Sequence, residues 1–215
     1  MAQIPLDSLE YYAYADLAAG KEARGKKRTA RQAIVVGGRD WLLRWYWLFI
    51  WAGKLTASDF KEKILTMQND YTPRRFGLEA NGMQVLFGSL VRDEAKDRFG
   101  ATAKFVPIYQ PTNVDKDYRI RTGIEPVILQ GRFFMRRNEV EAMSELQGFP
   151  TAATKDIVDA MEACMSRVAP KRVLKSTEDR ELDDYAQYLR AIGVKGSDIE
   201  KEMMRFHSQR GGYVH

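Results

Sequence analysis

Three strongly apolar segments lie between residues 11 and 51, and they constrain the fold more than any other feature of this 215-residue chain. Their sequences are YYAYAD (11–16), RQAIVVGGRD (31–40) and WLLRWYWLFIW (41–51). Such a density of β-branched and aromatic residues favours strands. Gly37 and Gly38 predict a hairpin turn between the second and third segments, so these strands are expected to pair antiparallel.

Helices and strands alternate after this part of the chain. An alternating order predicts an α/β fold, in which the three-strand antiparallel meander joins parallel strands in one mixed sheet flanked by helices. The predicted elements are a helix (56–71), a strand ending at Glu79, a helix to about Gly100, a strand (104–110), a short helix and a strand within 113–137, and helices at 138–149 and 154–169.

A domain boundary is predicted at Pro170, which is followed by KRVLKS. Residues 1–169 form the main predicted domain and residues 170–215 a small helical C-terminal extension. In the extension, Leu182, Tyr185 and Leu189 recur at helical spacing. Packing against the main domain and docking to a partner protein both remain open for this extension.

Several classes of site are poorly supported by the composition. The chain has two histidines, both near its end, and the single Cys164, so a zinc cluster or a Cys–His nucleophile is not expected. The segment GKEARGKK (20–27) misses the phosphate-binding loop because Lys27 replaces the hydroxyl residue. The chemistry is therefore expected to come from carboxylates, which favour Mg²⁺ or Mn²⁺.

The charge and hydropathy patterns bear on partners and location. Lysine and arginine outnumber aspartate and glutamate by 34 to 29, a net charge of +5 that permits a polyanionic partner. The apolar segment at 41–51 is shorter than the roughly 20 residues of a membrane span, and no signal peptide is visible. A soluble, cytoplasmic protein with no membrane partner is predicted.

Acids occupy equivalent positions at the ends of predicted elements. Asp16 ends the first strand and Glu79 the fourth, while Asp156 begins a helix with Asp159 one turn further on. Side chains at strand ends converge on ligands in open sheets. Carboxylates so placed could hold two divalent ions roughly 4 Å apart and cleave a phosphodiester bond. Solvated acids and acids that complement a helix dipole are the alternative interpretation.

The chain resembles the nuclease domain of the large terminase subunit of tailed bacteriophages, over about residues 11–168. The most specific segments are LEANG (78–82) and FP…KDIVDA (149–160). The resemblance implies an RNase H-like fold and a metal-dependent endonuclease that cuts concatemeric double-stranded viral DNA during genome packaging. It assigns catalysis and binding of two Mg²⁺ or Mn²⁺ ions to Asp16, Glu79 and Asp156, with Asp159 as a further ligand. Lys155 replaces an acid that is frequent in the family.

The resemblance also implies partners and a location. Double-stranded DNA would contact basic residues in two segments, and the terminase small subunit, an ATPase motor domain and the portal would be protein partners in the host cytoplasm. The chain itself lacks the phosphate loop of such a motor. The predicted DNA-binding residues are Lys26, Lys27, Arg28, Lys116, Arg119 and Arg121.

Two other functions fit the same features. A resolvase or hybrid nuclease of the same fold would cut branched DNA or RNA–DNA hybrids. A non-catalytic module would bind DNA or a packaging partner without cutting, and Lys155 keeps this alternative open.

Overall fold

The chain divides into two compact units, Met1–Arg172 and Val173–His215. In the second unit, Ala186, Leu189 and Ile199 form a small apolar cluster. A computed structural model describes residues 6–17, 31–81, 84–100, 103–111, 113–172, 185–186, 189, 193–195, 198–199 and 201–205.

One six-stranded sheet organises the first unit. Its strands are β1 (Glu10–Asp16), β2 (Gln32–Arg39), β3 (Trp45–Gly53), β4 (Arg75–Glu79), β5 (Phe105–Ile108) and β6 (Phe133–Met135). The spatial order is β5-β4-β1-β2-β3-β6. Strands β1, β2 and β3 pair antiparallel, whereas β4 is parallel to β1 and β5 parallel to β4. This arrangement confirms the predicted RNase H-like mixed sheet.

Helices cover both faces of this sheet. Their bounds are close to those predicted, and none of those described has the length and apolar character of a membrane span. Thr56 caps the first helix by accepting a hydrogen bond from the backbone N–H of Asp59. The helices are α1 (Ala57–Tyr71), α2 (Gln84–Phe99), α3 (Lys116–Leu129), α4 (Val140–Gly148) and α5 (Asp156–Ala163), which continues as a π-helical turn (Cys164–Val168).

The central strand β1 is buried on both faces and divides the core in two. Tyr12 and Tyr14 belong to the core under α3 and α5, while Ala13 and Ala15 belong to the core under α1 and α2. This follows from the alternation of side chains along a strand. Burying a large apolar side chain contributes about 1.5–3 kcal/mol, so the two cores hold the strand firmly.

The predicted turn at Gly37 and Gly38 is wrong. Both glycines lie inside β2, and the chain reverses at residues 40–44 instead. There Asp40 Oδ1 accepts hydrogen bonds from the backbone N–H groups of Leu42 (3.0 Å) and Arg44 (2.9 Å). The glycines serve close packing, because a Cβ on Gly37 would lie 2.9 Å from a ring carbon of Trp45.

The start of α5 is held by a buried acid on α4. Glu145 accepts hydrogen bonds from the backbone N–H groups of Ile157 (2.9 Å) and Val158 (3.1 Å) and from the Thr154 hydroxyl (2.7 Å). These bonds satisfy donors that a helix leaves unpaired at its N-terminus. The helix that carries Asp156 is therefore fixed by its neighbour.

Gly77 marks the closest approach between β4 and the turn after α5. A Cβ there would lie 2.3 Å from Val168 Cγ2, 2.9 Å from Ile108 Cγ1 and 3.0 Å from a ring carbon of Tyr14. No single neighbour can move away, because the three enclose the position from different elements. Glycine is therefore required for this packing.

We expect Gly77→Ala to lower the free energy of unfolding by about 3 kcal/mol, the upper end of the usual overpacking cost. Gly88→Ala is the matched control, because a Cβ at Gly88 meets its nearest neighbours at 3.7 and 3.9 Å. Denaturant unfolding followed by circular dichroism measures both. A wild-type stability for Gly77→Ala would contradict this packing.

Candidate functional site

The parallel pairing of β1 with β4 brings two acids side by side at the C-terminal ends of the strands. Ala15 pairs with Leu78, so Asp16 and Glu79 follow at the same level of the sheet. Side chains alternate along a strand, which puts both acids on the face that carries Tyr14 and packs on α3 and α5. The structure thus joins two of the predicted site residues.

The Asp16 carboxyl lies within hydrogen-bonding reach of the Glu79 carboxyl, and this proximity is electrostatically costly. Burial, the hydrogen bond with Glu79 and repulsion from nearby acids raise the pKa of Asp16 well above its usual value. A carboxyl with such a raised pKa favours folding at low pH, and this contribution is lost as the pH rises through its folded-state pKa. The Asp16–Glu79 pair therefore lowers the stability of the cation-free protein at neutral pH relative to acid pH.

Polar side chains after β4 orient Glu79 and connect it to the residue after Asp16. The Asn81 side-chain amide donates to Glu79 Oε1 at 3.0 Å. The Asn81 backbone N–H donates to Gln84 Oε1 at 3.0 Å, and the Gln84 side-chain amide donates to the carbonyl of Leu17. The two strand ends are thus tied together directly beyond their acids.

Asp159 is the third acid that acts on this pair. The charges that influence Asp16 most strongly are those of Glu79, Asp159 and Lys116. Lys116 Nζ lies 2.8 Å from Asp159 Oδ2. Burial opposes the charge of this lysine, but attraction to Asp159, Asp16 and Asp156 outweighs burial and raises the pKa of Lys116. A single ammonium group partly offsets the negative charge of the site.

A buried network holds Asp159 from its other side. The Arg119 guanidinium bridges Asp159 and Glu162, and Arg167 Nη1 lies 2.8 Å from the same Glu162 oxygen. Arg119, Asp159 and Glu162 are all buried. Buried charges are tolerated only when they are paired. The network therefore fixes α3 against α5 and orients the Asp159 carboxylate.

Asp156 begins α5 as predicted and is half-buried. Its charge acts on Lys116, and also on Arg31 and Glu145, which lie toward α4. It is not among the charges that act most strongly on Asp16. Its assignment as a catalytic residue and metal ligand stays a prediction.

The predicted DNA-binding residues fall into different environments. Lys26, Lys27 and Arg28 lie outside the described residues. Lys116 is 46% exposed and belongs to the acidic site, and Arg121 is exposed on α3.

Arg119 differs from its prediction. It is 9% exposed and engaged by two acids, so its guanidinium is not available to contact a phosphate. The sequence signal misled because Arg119 and Arg121 belong to one basic segment, whereas side chains two residues apart on a helix point in different directions.

Among the described residues, no group of three or more His, Cys, Asp or Glu side chains is arranged to hold a metal ion. Asp16 and Glu79 form a pair, but the oxygens of Asp159 face Lys116 and Arg119. The sequence interpretation missed this inward role of Lys116. Its place in the first turn of α3, three residues before Arg119, was the available signal.

Two of the solved structures that are similar to this chain are RuvC proteins. No protein-family model matches the chain, and no curated protein matches it. RuvC of T. thermophilus in complex with a Holliday junction substrate is similar at a TM-score of 0.39 and 9% identity, covering 63% of this chain and 84% of that one. Another Thermus thermophilus RuvC structure has a TM-score of 0.39 and 12% identity, covering 71% and 91%.

We expect Asp16→Asn to stabilise the protein in EDTA by roughly 0.2–1 kcal/mol, because it removes a like-charge pair between neighbouring strands. Asp93→Asn, at an exposed position on α2, is the control and should leave the stability unchanged. Chemical unfolding at neutral pH measures both. A loss of stability in Asp16→Asn would show that the pair is not repulsive.

Replacing Arg119 should have the opposite effect. We expect Arg119→Gln to lower the free energy of unfolding by roughly 3 kcal/mol, because it removes a cation from two buried acids. Arg121→Gln, on the exposed side of the same helix, should change it by less than about 0.5 kcal/mol. Equal unfolding midpoints for the two variants would contradict a structural role for Arg119.

Proposed function

We propose that this protein is a divalent-cation-dependent nuclease that hydrolyses phosphodiester bonds. The observation that carries the proposal is the Asp16–Glu79 pair at the ends of adjacent parallel strands, with Asp159 nearby. Two neighbouring acids repel each other, and a bound cation would offset this electrostatic cost. A carboxyl whose pKa is raised by burial and by neighbouring acids, as that of Asp16 is, marks a candidate functional site.

The chemistry of this pair fits a hard cation. Carboxylate oxygens are the ligands that Mg²⁺ and Mn²⁺ favour, and burial together with the neighbouring acids Glu79 and Asp159 raises the pKa of Asp16 despite the opposing charge of Lys116. Asp16 and Glu79 would hold one such ion. The second ion predicted from the sequence would require Asp159 to exchange Lys116 or Arg119 for a metal. A divalent ion held there would supply Lewis-acid activation of water and would neutralise charge on the scissile phosphate.

The remaining residues orient ligands and substrate. The Asn81 side-chain amide donates a hydrogen bond to Glu79 Oε1. This contact fixes the orientation of the carboxylate, including that of its second oxygen. Lys116 offers an ammonium group that is half-exposed and already placed beside the acids, where it can neutralise a phosphate oxygen. The ion pair with Asp159 holds this ammonium group at the site and keeps it from turning out into the solvent.

A narrower proposal concerns the substrate and biological role. The segments LEANG and KDIVDA support cleavage of double-stranded viral DNA during genome packaging, with terminase proteins and a portal as partners. The support is the sequence resemblance alone. Cleavage assays with linear duplex DNA, branched DNA and RNA–DNA hybrid under one metal condition test it. Preferential cleavage of branched DNA or of the hybrid would replace it by the resolvase or hybrid-nuclease alternative.

We expect Asp16→Asn and Glu79→Gln each to reduce Mn²⁺-dependent cleavage at least about a hundredfold while the protein stays folded, because one carboxylate cannot hold the ion. Asp156→Asn and Asp159→Asn, measured in parallel, identify which helix acid contributes. Asp93→Asn is the control. Unchanged cleavage by Asp16→Asn would refute the assignment, and DNA binding without any metal-dependent cleavage would favour the non-catalytic module.

A further inference from the structure

A small recess opens beside Glu79, at the edge of the sheet between α2 and the end of β5. Its volume is about 130 Å³. The residues that matter for its chemistry are Leu78, Glu79, Gly88, Arg92, Pro107 and Tyr109. The recess therefore combines an apolar floor with one aromatic ring and one guanidinium. Glu79 ends the strand beside it, with its carboxyl on the other face of the sheet, toward α3 and α5.

Tyr109 forms an exposed wall of this recess. It is 65% exposed. Within the described part of the chain its ring has no aromatic neighbour and its hydroxyl makes no hydrogen bond. Most large aromatic side chains of this unit are stacked or buried. An exposed, unstacked ring beside a candidate catalytic acid is available to a planar ligand.

Arg92 supplies the positive charge of the recess. It lies on α2 and is half-buried. No described residue pairs with its guanidinium, whereas Arg98, further along the same helix, contacts Glu62 and Glu94. An arginine held at a recess without an acid is suited to bind a phosphate or stack on a base.

The size of the recess limits the ligand. An engineered cavity of about 150 Å³ in another protein holds one benzene molecule, so this recess accommodates a single ring system. Sites for whole cofactors are several times larger, at about 300–1,000 Å³. The occupant is therefore one planar group, with the anionic remainder outside near Arg92.

We propose that the recess holds the base of one unpaired nucleotide of the substrate strand, stacked on Tyr109, with a backbone phosphate at Arg92. This rests on the proposed nuclease function, because the recess and the acid pair lie on the two faces of the sheet at the end of β4, so one substrate strand that passes this end would contact both. A paired base in a regular duplex is stacked between its neighbours and cannot enter. The substrate class is nucleic acid that is unpaired at the cleavage position: single strands, forks, bulges and junctions.

Binding by the full chain in EDTA tests the proposal without any cleavage. The probes are a labelled single-stranded oligonucleotide, the matched blunt duplex, the same duplex with a one-nucleotide bulge, and a free nucleoside monophosphate. The variants are Tyr109→Leu, Arg92→Gln and Gly88→Ala. Their matched controls are Tyr118→Leu, with 64% exposure on the opposite side of the sheet, and Arg75→Gln, exposed at the other end of β4.

Tyr109→Leu should weaken binding of the single strand and of the bulged duplex about tenfold, since stacking on one aromatic side chain contributes that much. Arg92→Gln should weaken it several-fold and reduce the salt dependence by about one phosphate contact. Gly88→Ala adds a methyl group between Leu78 and Arg92 without a clash, so it should weaken binding while the thermal midpoint stays unchanged or rises. The two controls should bind as the wild type does.

Three results would overturn the proposal. They are wild-type binding to blunt duplex as tight as to the bulged duplex, an equal loss for all probes in Tyr109→Leu, and a mononucleotide that binds as tightly as the oligonucleotide. The nuclease proposal fails separately. Absence of metal-dependent cleavage alongside Tyr109-dependent binding would leave the recess standing, and Asp16-dependent cleavage with no effect of Tyr109→Leu would remove only the recess.

Discussion

The repulsion between Asp16 and Glu79 is the constraint on which the rest of the site depends. It is imposed by the sheet, because the parallel register of β1 and β4 ends both strands at the same level. The two carboxylates cannot move apart, because the residues that precede each of them in its strand are buried. The fold thus concentrates negative charge by backbone hydrogen bonding, and Asn81, Lys116 and Arg119 contact the acids gathered there.

The positive charges near these acids come from α3. Lys116 and Arg119 both reach Asp159, one at the partly exposed rim and one in the interior. Arg119 also neutralises Glu162, so this buried cation is required for the packing of α3 against α5. Lys116 is different, because a half-exposed ammonium can change partners at little cost. Structural and exchangeable charge are therefore separated by one helical turn. This separation lets the acids keep a local excess of negative charge without unfolding the helix pair beneath them.

Much of this architecture is predictable from the sequence, and the reasons for the failures are physical. Strand ends at Asp16 and Glu79 follow from apolar runs that stop at an acid. The register that brings the two acids together needs the pairing of strands distant in the chain. Gly37 and Gly38 misled because glycine serves close packing as well as turns. The inward direction of Arg119 and the closeness of Asp159 to the pair depend on how α3 and α5 rotate against the sheet, which periodicity constrains only loosely.

Gln84 gives these parts a thermodynamic connection. It opens α2, the helix that supplies one wall of the recess, and its amide holds the carbonyl that follows Asp16. A displacement of α2 must therefore be felt at the end of β1. If binding of a ligand at α2 changes the affinity of the site for a cation, then binding of the cation must change the affinity for that ligand by the same factor. Binding of the substrate and binding of the ion would then be thermodynamically coupled through α2.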